Sequence, residues 1–210
     1  MPPSPQEPCE KPGAEPDDDA LLAAFVAGDG QAFEHLFRRH GGALLTYLAH
    51  LTGDRTTAED LLQEIFLRVV RRAREYRPDG RFRAWLHTIA HHALTDQRRR
   101  AALRPLASDT MKSNDDGSEL ELAGHAEGDD PLLRVHAREL GARIESALAR
   151  LPEAQREVFL LRERAGLELA EIARVTGANL ATVKSRLRYA LASLRRILCA
   201  ELASHPELLP

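Results

Sequence analysis

The sequence predicts an all-α protein, built as two small helical domains joined by a flexible acidic linker. Three observations carry that prediction. The apolar residues are mostly Leu, Ala, Val and Ile, with aromatics at 5% and no stretch of β-branched alternation that would read as strands. In two blocks, residues 18–101 and 131–200, apolar residues recur three and four positions apart, the period of one helix face. Between them, residues 102–130 crowd Asp, Ser, Gly, Asn and Glu and lack the apolar content of a core. A chain of 210 residues is long enough for two domains with separate cores.

Taken in order, residues 1–17 are Pro-rich and acidic and are expected to be disordered, and the tail 201–210 at the other end is expected to fray. Asp19 can cap a short helix that runs through Ala27 and stops at Gly28. Asp29 or Gly30 opens a longer helix carrying Phe33, Leu36, Phe37, Leu44, Leu45 and Leu48, with Gly41 and Gly42 as a place to bend. Asp54 to Glu59 supply a cap and first-turn acids for a third helix through about Arg74, where charge at the N-terminus complements the helix dipole. Tyr76-Arg-Pro-Asp-Gly marks a loop, and a fourth helix runs from about Arg81 to Ala101.

The second block opens at Asp130-Pro131, because proline suits the first helical turn. Leu133, Leu140, Ile144, Leu148 and Leu151 line one face of its first helix. Leu151-Pro152-Glu153 breaks that helix and begins the next, Glu153 to Arg164, whose Val158, Phe159 and Leu161 are placed to pack under a helix-turn-helix. That pattern runs from Gly166 to Leu198. A short helix with Leu169, Ile172 and Ala173 breaks at Gly177, where a left-handed turn is needed, and Asn179 caps a second helix carrying Val183 and Leu187 inward. The opposite face of that second helix holds Thr182, Lys184, Ser185, Arg186, Arg188 and Tyr189, which could reach phosphates and base edges from a major groove.

Charge is unevenly spread behind a formal net of -3. Residues 1–20 hold six acids against one Lys, and residues 101–130 hold eight acids against two bases. The blocks 21–100 and 131–210 each hold thirteen bases and nine acids, so two basic lobes flanked by acidic segments suggest a polyanionic partner, although +4 per lobe is also common in proteins that bind nothing charged. Cys9 and Cys199 stand far apart without metal spacing, which makes a reduced, cytoplasmic protein the expectation. No basic start followed by an apolar run occurs near Met1, and no stretch reaches about 20 apolar residues, so neither export nor membrane insertion is expected.

Two further segments carry functional signals. In AEDLLQEIFLRVVRRAREY, Leu61, Leu62, Ile65, Phe66, Leu67, Val69 and Val70 surround the third helix on more than one side, whereas a surface helix needs one stripe. Either the helix is central and buried all round, or one side with Asp60, Gln63, Glu64 and Phe66 docks against a partner. In RFRAWLHTIAHHALTDQRRR, Phe82 and Trp85 neighbour a basic loop and a basic helix end, a mixture suited to stacking on unpaired bases while guanidinium groups hold phosphates. A core role for Trp85 is the competing reading. His87 and His91 fall four apart, but no carboxylate or Cys joins them at ligand spacing, so no metal or other cofactor is expected. There is no phosphate loop, HExxH, CxxC or Gly-x-Ser-x-Gly, so an enzyme is not expected either.

The order DLLQEIF, FRAWLHTIA, linker, LPEAQREVFLLRERAGLELAEIA and TVKSRLRYALASLRR resembles the bacterial RNA polymerase sigma factors of the extracytoplasmic-function (ECF) group. The resemblance implies two helical domains that direct core polymerase to promoters and do no chemistry themselves. It implies that Asp60, Gln63, Glu64 and Phe66 grip the clamp helices of the largest polymerase subunit. By the same likeness, Arg77, Arg81, Trp85 and His92 capture flipped bases of the promoter near -10, and Thr182, Lys184, Ser185, Arg186, Arg188 and Tyr189 read duplex DNA near -35. An anti-sigma protein is an expected partner. Two positions depart from the usual pattern. His92 stands where relatives often have Asn, and Tyr189 stands where they often have Arg, which removes a charge and a bidentate fork. The acidic linker either threads toward the RNA exit path or is an inert tether. The alternatives are a stand-alone helix-turn-helix regulator, binding operator DNA unaided as a dimer, and a helical interaction protein that binds no nucleic acid.

Overall fold

The computed structural model describes residues 16–103 and 131–204, the side chains of 131–138 and 201–204 excepted. The predicted tail 1–17 (apart from Pro16 and Asp17), nearly all of the linker 102–130 and most of the tail 201–210 lie outside the described residues, as does Leu133's side chain.

The first domain consists of α1 (Asp18–Val26), α2 (Gly30–Thr52), α3 (Arg55–Arg72), a 3-10 turn (Ala73–Glu75) and α4 (Phe82–Leu103). Its boundaries follow from short polar side chains that accept from otherwise orphaned N–H groups. Asp17 accepts from Ala20 N at 2.7 Å, Asp29 from Gln31 N at 2.9 Å, and Asp54 from Thr57 N at 2.7 Å. The cap of α1 is therefore Asp17, and Asp19, expected to hold that position, is left for another task. Gly41 and Gly42 do not interrupt α2; a Cβ on Gly41 would meet the Phe37 ring at 3.6 Å, an ordinary van der Waals distance.

Helices α1, α2, α3 and α4 pack successively around Leu22, Leu36, Leu44, Leu48, Ile65, Val69, Leu86 and Leu94, all at most 1% exposed. Asp18 ties α1 to α2 through Arg39 at 2.7 Å and His40 at 3.0 Å. Burial works against its ionisation, but these two partners prevail and hold its pKa below the usual carboxylate range.

The second domain consists of α5 (Pro131–Ala149), α6 (Glu153–Glu163), α7 (Leu169–Thr176) and α8 (Leu180–Ser204), with α8 packed on the other three. Gly177 closes α7 at φ +66°, a backbone conformation that suits glycine, and Asn179 Oδ1 accepts from Thr182 N at 2.7 Å to start α8. Val158, Leu160, Leu161, Ile172, Val183 and Ala190 are fully buried beneath this corner. Leu148 and Leu151 are buried as expected, but Leu140 is 55% exposed and does not join them.

The two domains pack against each other, α4 on α7 and α2 on α6. Sequence periodicity pointed to two independent lobes, and nothing in it indicated this contact. Its centre is Glu157, which is buried and accepts at Oε1 from Tyr47 Oη at 3.0 Å and from His91 Nδ1 at 2.7 Å. Around it, His50 Nε2 lies 3.0 Å from Glu145, Arg98 pairs with Glu153 at 2.5 Å, and Arg156 donates to the His50 carbonyl at 2.8 Å. Burial pushes the Glu157 carboxyl up, but the hydrogen bonds and charge around it outweigh burial and hold its pKa below the ordinary value.

Candidate protein and nucleic-acid interfaces

Helix α3 resolves the seven apolar residues that girdle it. Leu61, Leu62, Ile65, Phe66 and Val69 turn inward, while Leu67 at 55% and Val70 at 41% face solvent. Asp60 and Gln63 are exposed, so Asp60, Gln63, Leu67 and Val70 form one outward stripe at helical spacing. Glu64 flanks it, half-buried, held by Arg68 Nη2 at 2.6 Å with Arg100 at 3.6 Å. Phe66 is a correction. It is 5% exposed, with Phe37 and Phe33 edge-on at 4.7 and 6.0 Å, so it belongs to the core and not to a docking surface. Leu67 and Val70, with the 42% exposed Phe37 nearby, supply the exposed apolar groups instead. The i, i+3, i+7 continuation from Asp60 and Gln63 was the sequence signal for them.

Folding brings three of the four residues expected near -10 together. Arg77 and Arg81 are exposed on the loop before α4, and Trp85 is half-buried on the first turn of that helix. The Trp85 ring packs on Tyr76 at 5.0 Å and on Phe82 at 5.9 Å between centroids, so core packing and an accessible edge coexist. A cleft of about 250 Å³ is lined by Tyr76, Arg77, Arg81 and Trp85 from this domain, together with Ala84, Thr88 and the acids Glu75 and Asp79, and by Glu171, Arg174 and Val175 from α7, so its arginines stand among carboxylates. His92 is exposed two turns further along α4 and does not line the cleft.

Asp19, which sequence reasoning assigned to a helix cap, holds the loop. Its Oδ1 accepts from Tyr76 Oη at 2.6 Å and its Oδ2 from Gly80 N at 2.7 Å. Burial first, and the Asp19 carboxylate second, drive the Tyr76 hydroxyl far above the ordinary tyrosine range, so it stays protonated and donating.

On α8, Lys184, Arg188 and Tyr189 are exposed, and Thr182, Ser185 and Arg186 beside them are half-buried. Ser185 Oγ donates to the Thr182 carbonyl at 3.0 Å. The Arg188 guanidinium lies 5.1 Å from the Tyr189 ring centroid, a cation–π contact that orients the charge. Val183, with Leu187 half-buried, faces inward, so the polar face is the one turned away from the domain.

The histidines do not converge. His87 is buried with Nδ1 2.9 Å from the Arg83 carbonyl, and desolvation lowers its pKa from 6.5 to about 4. Among the described residues no group of three His, Cys, Asp or Glu side chains could hold a metal ion, and no helix is long and apolar enough to cross a membrane.

A helix-turn-helix with an outward basic face, packed against a helical bundle whose cleft sets Arg77 and Arg81 beside the Trp85 ring, is the arrangement of a two-domain nucleic-acid-binding protein. Residues 36–104 match the family Sigma-70 region 2, and residues 141–194 match Sigma-70, region 4. The chain is 37% identical over 185 residues to the ECF RNA polymerase sigma factor SigM of Mycobacterium tuberculosis, covering 86% of this chain and 84% of that one. It is 33% identical over 188 residues to the RNA polymerase sigma factor CnrH of Cupriavidus metallidurans, covering 88% and 96%. The solved structure of CnrH in complex with the cytosolic domain of CnrY aligns at a TM-score of 0.60 and 27% identity, over 87% of this chain and 97% of that one. The sigma factor RpoE from Bartonella quintana, solved with the anti-sigma factor NepR, shares the fold at a TM-score of 0.57 and 19% identity, over 79% of this chain and 96% of that one. The chain belongs to the ECF RNA polymerase sigma factors, which are transcription initiation factors and not enzymes.

Proposed function

We propose that the first domain docks on the clamp helices of core RNA polymerase through the α3 stripe of Asp60, Gln63, Leu67 and Val70, with Glu64 at its edge. The cleft between Arg77, Arg81 and Trp85 then receives an unpaired base of the promoter near -10, with His92 contacting the strand further along α4. In the second domain Lys184, Arg188 and Tyr189, assisted by Thr182, Ser185 and Arg186, read duplex DNA near -35.

The observation that carries this reading is the gathering of Arg77, Arg81 and Trp85 around one cleft. A half-exposed aromatic ring offers a stacking platform and the guanidinium groups neutralise phosphates, while extruding a base costs a few kcal/mol that such contacts must offset. Helix α7 bounds the same cleft, so the domains part before a strand enters. Polymerase supplies that separation by holding the domains apart on its own surface, and only then do two modestly basic modules act on one promoter with the avidity of a linked pair. The protein works in the cytoplasm, where polymerase and promoter are. An anti-sigma factor is its regulator, in keeping with the CnrY and NepR complexes of CnrH and RpoE.

The test is reconstitution with core polymerase and run-off transcription from a genomic library. Selective start sites that need this chain are expected. A gel shift on a recovered promoter should require core polymerase; a shift produced by the chain alone, as a dimer on a two-fold site, would favour a stand-alone regulator instead.

A further inference from the structure

We infer that Asp19 is a positioning residue for base capture, the group that sets the loop from Tyr76 to Arg81 in the conformation that forms the cleft. The inference rests on the reading of that cleft as the -10 site.

Each end of the loop is fastened to one carboxylate. Tyr76, at its start, donates its hydroxyl to Asp19 Oδ1, and Gly80, near its end, donates its N–H to Asp19 Oδ2. Gly80 has φ +73°, so the chain reverses there in a conformation most side chains avoid, and Asp79 Oδ1 accepts from Arg81 N at 3.2 Å to complete the turn. Asp19 thereby fixes two things together. Through Gly80 it sets where Arg77 and Arg81 stand. Through Tyr76 it sets the ring against which Trp85 packs. A charged acceptor makes both bonds stronger than neutral ones, and the Tyr76 hydroxyl, held protonated by burial and by this carboxylate, remains a donor. Asp19 itself does not line the cleft, and α1 already has its cap in Asp17.

The experiment uses holoenzyme carrying wild-type chain, Asp19→Ala, Tyr76→Phe or both changes, on a promoter recovered by wild-type holoenzyme from a genomic library. Three quantities are read: association with core polymerase, footprint protection near -35, and permanganate reactivity of unpaired thymines near -10. Asp19→Ala, which removes both charge-assisted hydrogen bonds to the loop, is expected to reduce opening at least about tenfold, while association and the -35 footprint hold. Tyr76→Phe, which keeps the ring, should show a smaller loss of the same kind. The double variant should match Asp19→Ala, because without Asp19 the Tyr76 hydroxyl has no carboxylate left to lose. Opening by Asp19→Ala equal to wild type, multiplying losses in the double variant, or a parallel loss of polymerase association would each overturn the inference. Failure of the wild-type holoenzyme to select any start site would remove the -10 reading and this inference with it.

Discussion

Tyr47 and Glu157 lie 110 positions apart in the chain and share a buried hydrogen bond of 3.0 Å, hydroxyl to carboxylate, across the boundary between the two domains. Glu157 also accepts from His91, so one carboxylate of the second domain is held by two helices of the first. Replacing Glu157 with Leu strands a buried tyrosine hydroxyl, a cost of about 1–3 kcal/mol. The free protein should then open. Small-angle scattering would register this as a larger radius of gyration, with each domain retaining its helicity by circular dichroism. An unchanged radius would show that the contact does not depend on Glu157.

Acid should loosen the first domain through His87. Its folded pKa, about 4, lies below the unfolded value of 6.5. The unfolded chain therefore binds the proton first, and the stability from keeping the ring neutral is fully present above pH 6.5 and is lost as the pH falls toward 4. The interval is worth about 3 kcal/mol. Glu157 acts lower on the scale, since its depressed pKa contributes stability above the ordinary carboxylate range and loses it in stronger acid. Urea unfolding at a series of pH values should show His87→Gln with a flatter slope between pH 6.5 and 4 than wild type. Equal slopes would mean that the buried ring does not titrate as described.

Phe66 and its neighbour Leu67 should separate folding from docking. Phe66→Ala empties a packed site and should cost about 3–5 kcal/mol, lowering the unfolding midpoint. Leu67→Arg changes a side chain that is 55% exposed, so stability should stay within about 0.5 kcal/mol while binding to core polymerase weakens at least about tenfold. Thermal unfolding and a binding titration with core enzyme measure both. A Leu67→Arg chain that binds polymerase as well as wild type would remove α3's outward stripe from the docking surface.

The recognition helix should show a graded response. Lys184→Ala and Arg188→Ala, at exposed positions, should each weaken promoter binding by holoenzyme and reduce the dependence of log affinity on log salt by about one phosphate contact. Ser185→Ala should matter less, because its hydroxyl already bonds the Thr182 carbonyl. Tyr189→Ala should resemble a weak Arg188 variant, since the ring lies against that guanidinium. Salt titrations with unchanged slopes for Lys184 and Arg188 would show that neither touches a phosphate.

Much was legible in the sequence because it is written in local patterns. Helix spacing, Asp and Asn caps and the glycine at position 177 act within a turn or two of themselves, so the eight α-helices of the described residues, the helix-turn-helix corner and the basic face of α8 could be read from the order of residues. The same local logic misassigned Asp19, because an acid in a first turn looks like a cap until Asp17 is seen to occupy that place. It also could not divide the girth of α3, where Phe66 and Leu67 are adjacent and equally apolar but one faces the Phe33–Phe37 rings and the other faces water. Tertiary structure alone decided the pairings between distant segments: Asp19 with Tyr76 and Gly80, Tyr47 and His91 with Glu157, and α7 against the cleft. The physical reason is that periodicity specifies which side of a helix is dry. Which neighbour dries it, and which polar group meets a buried carboxylate, depends on how whole helices are brought together.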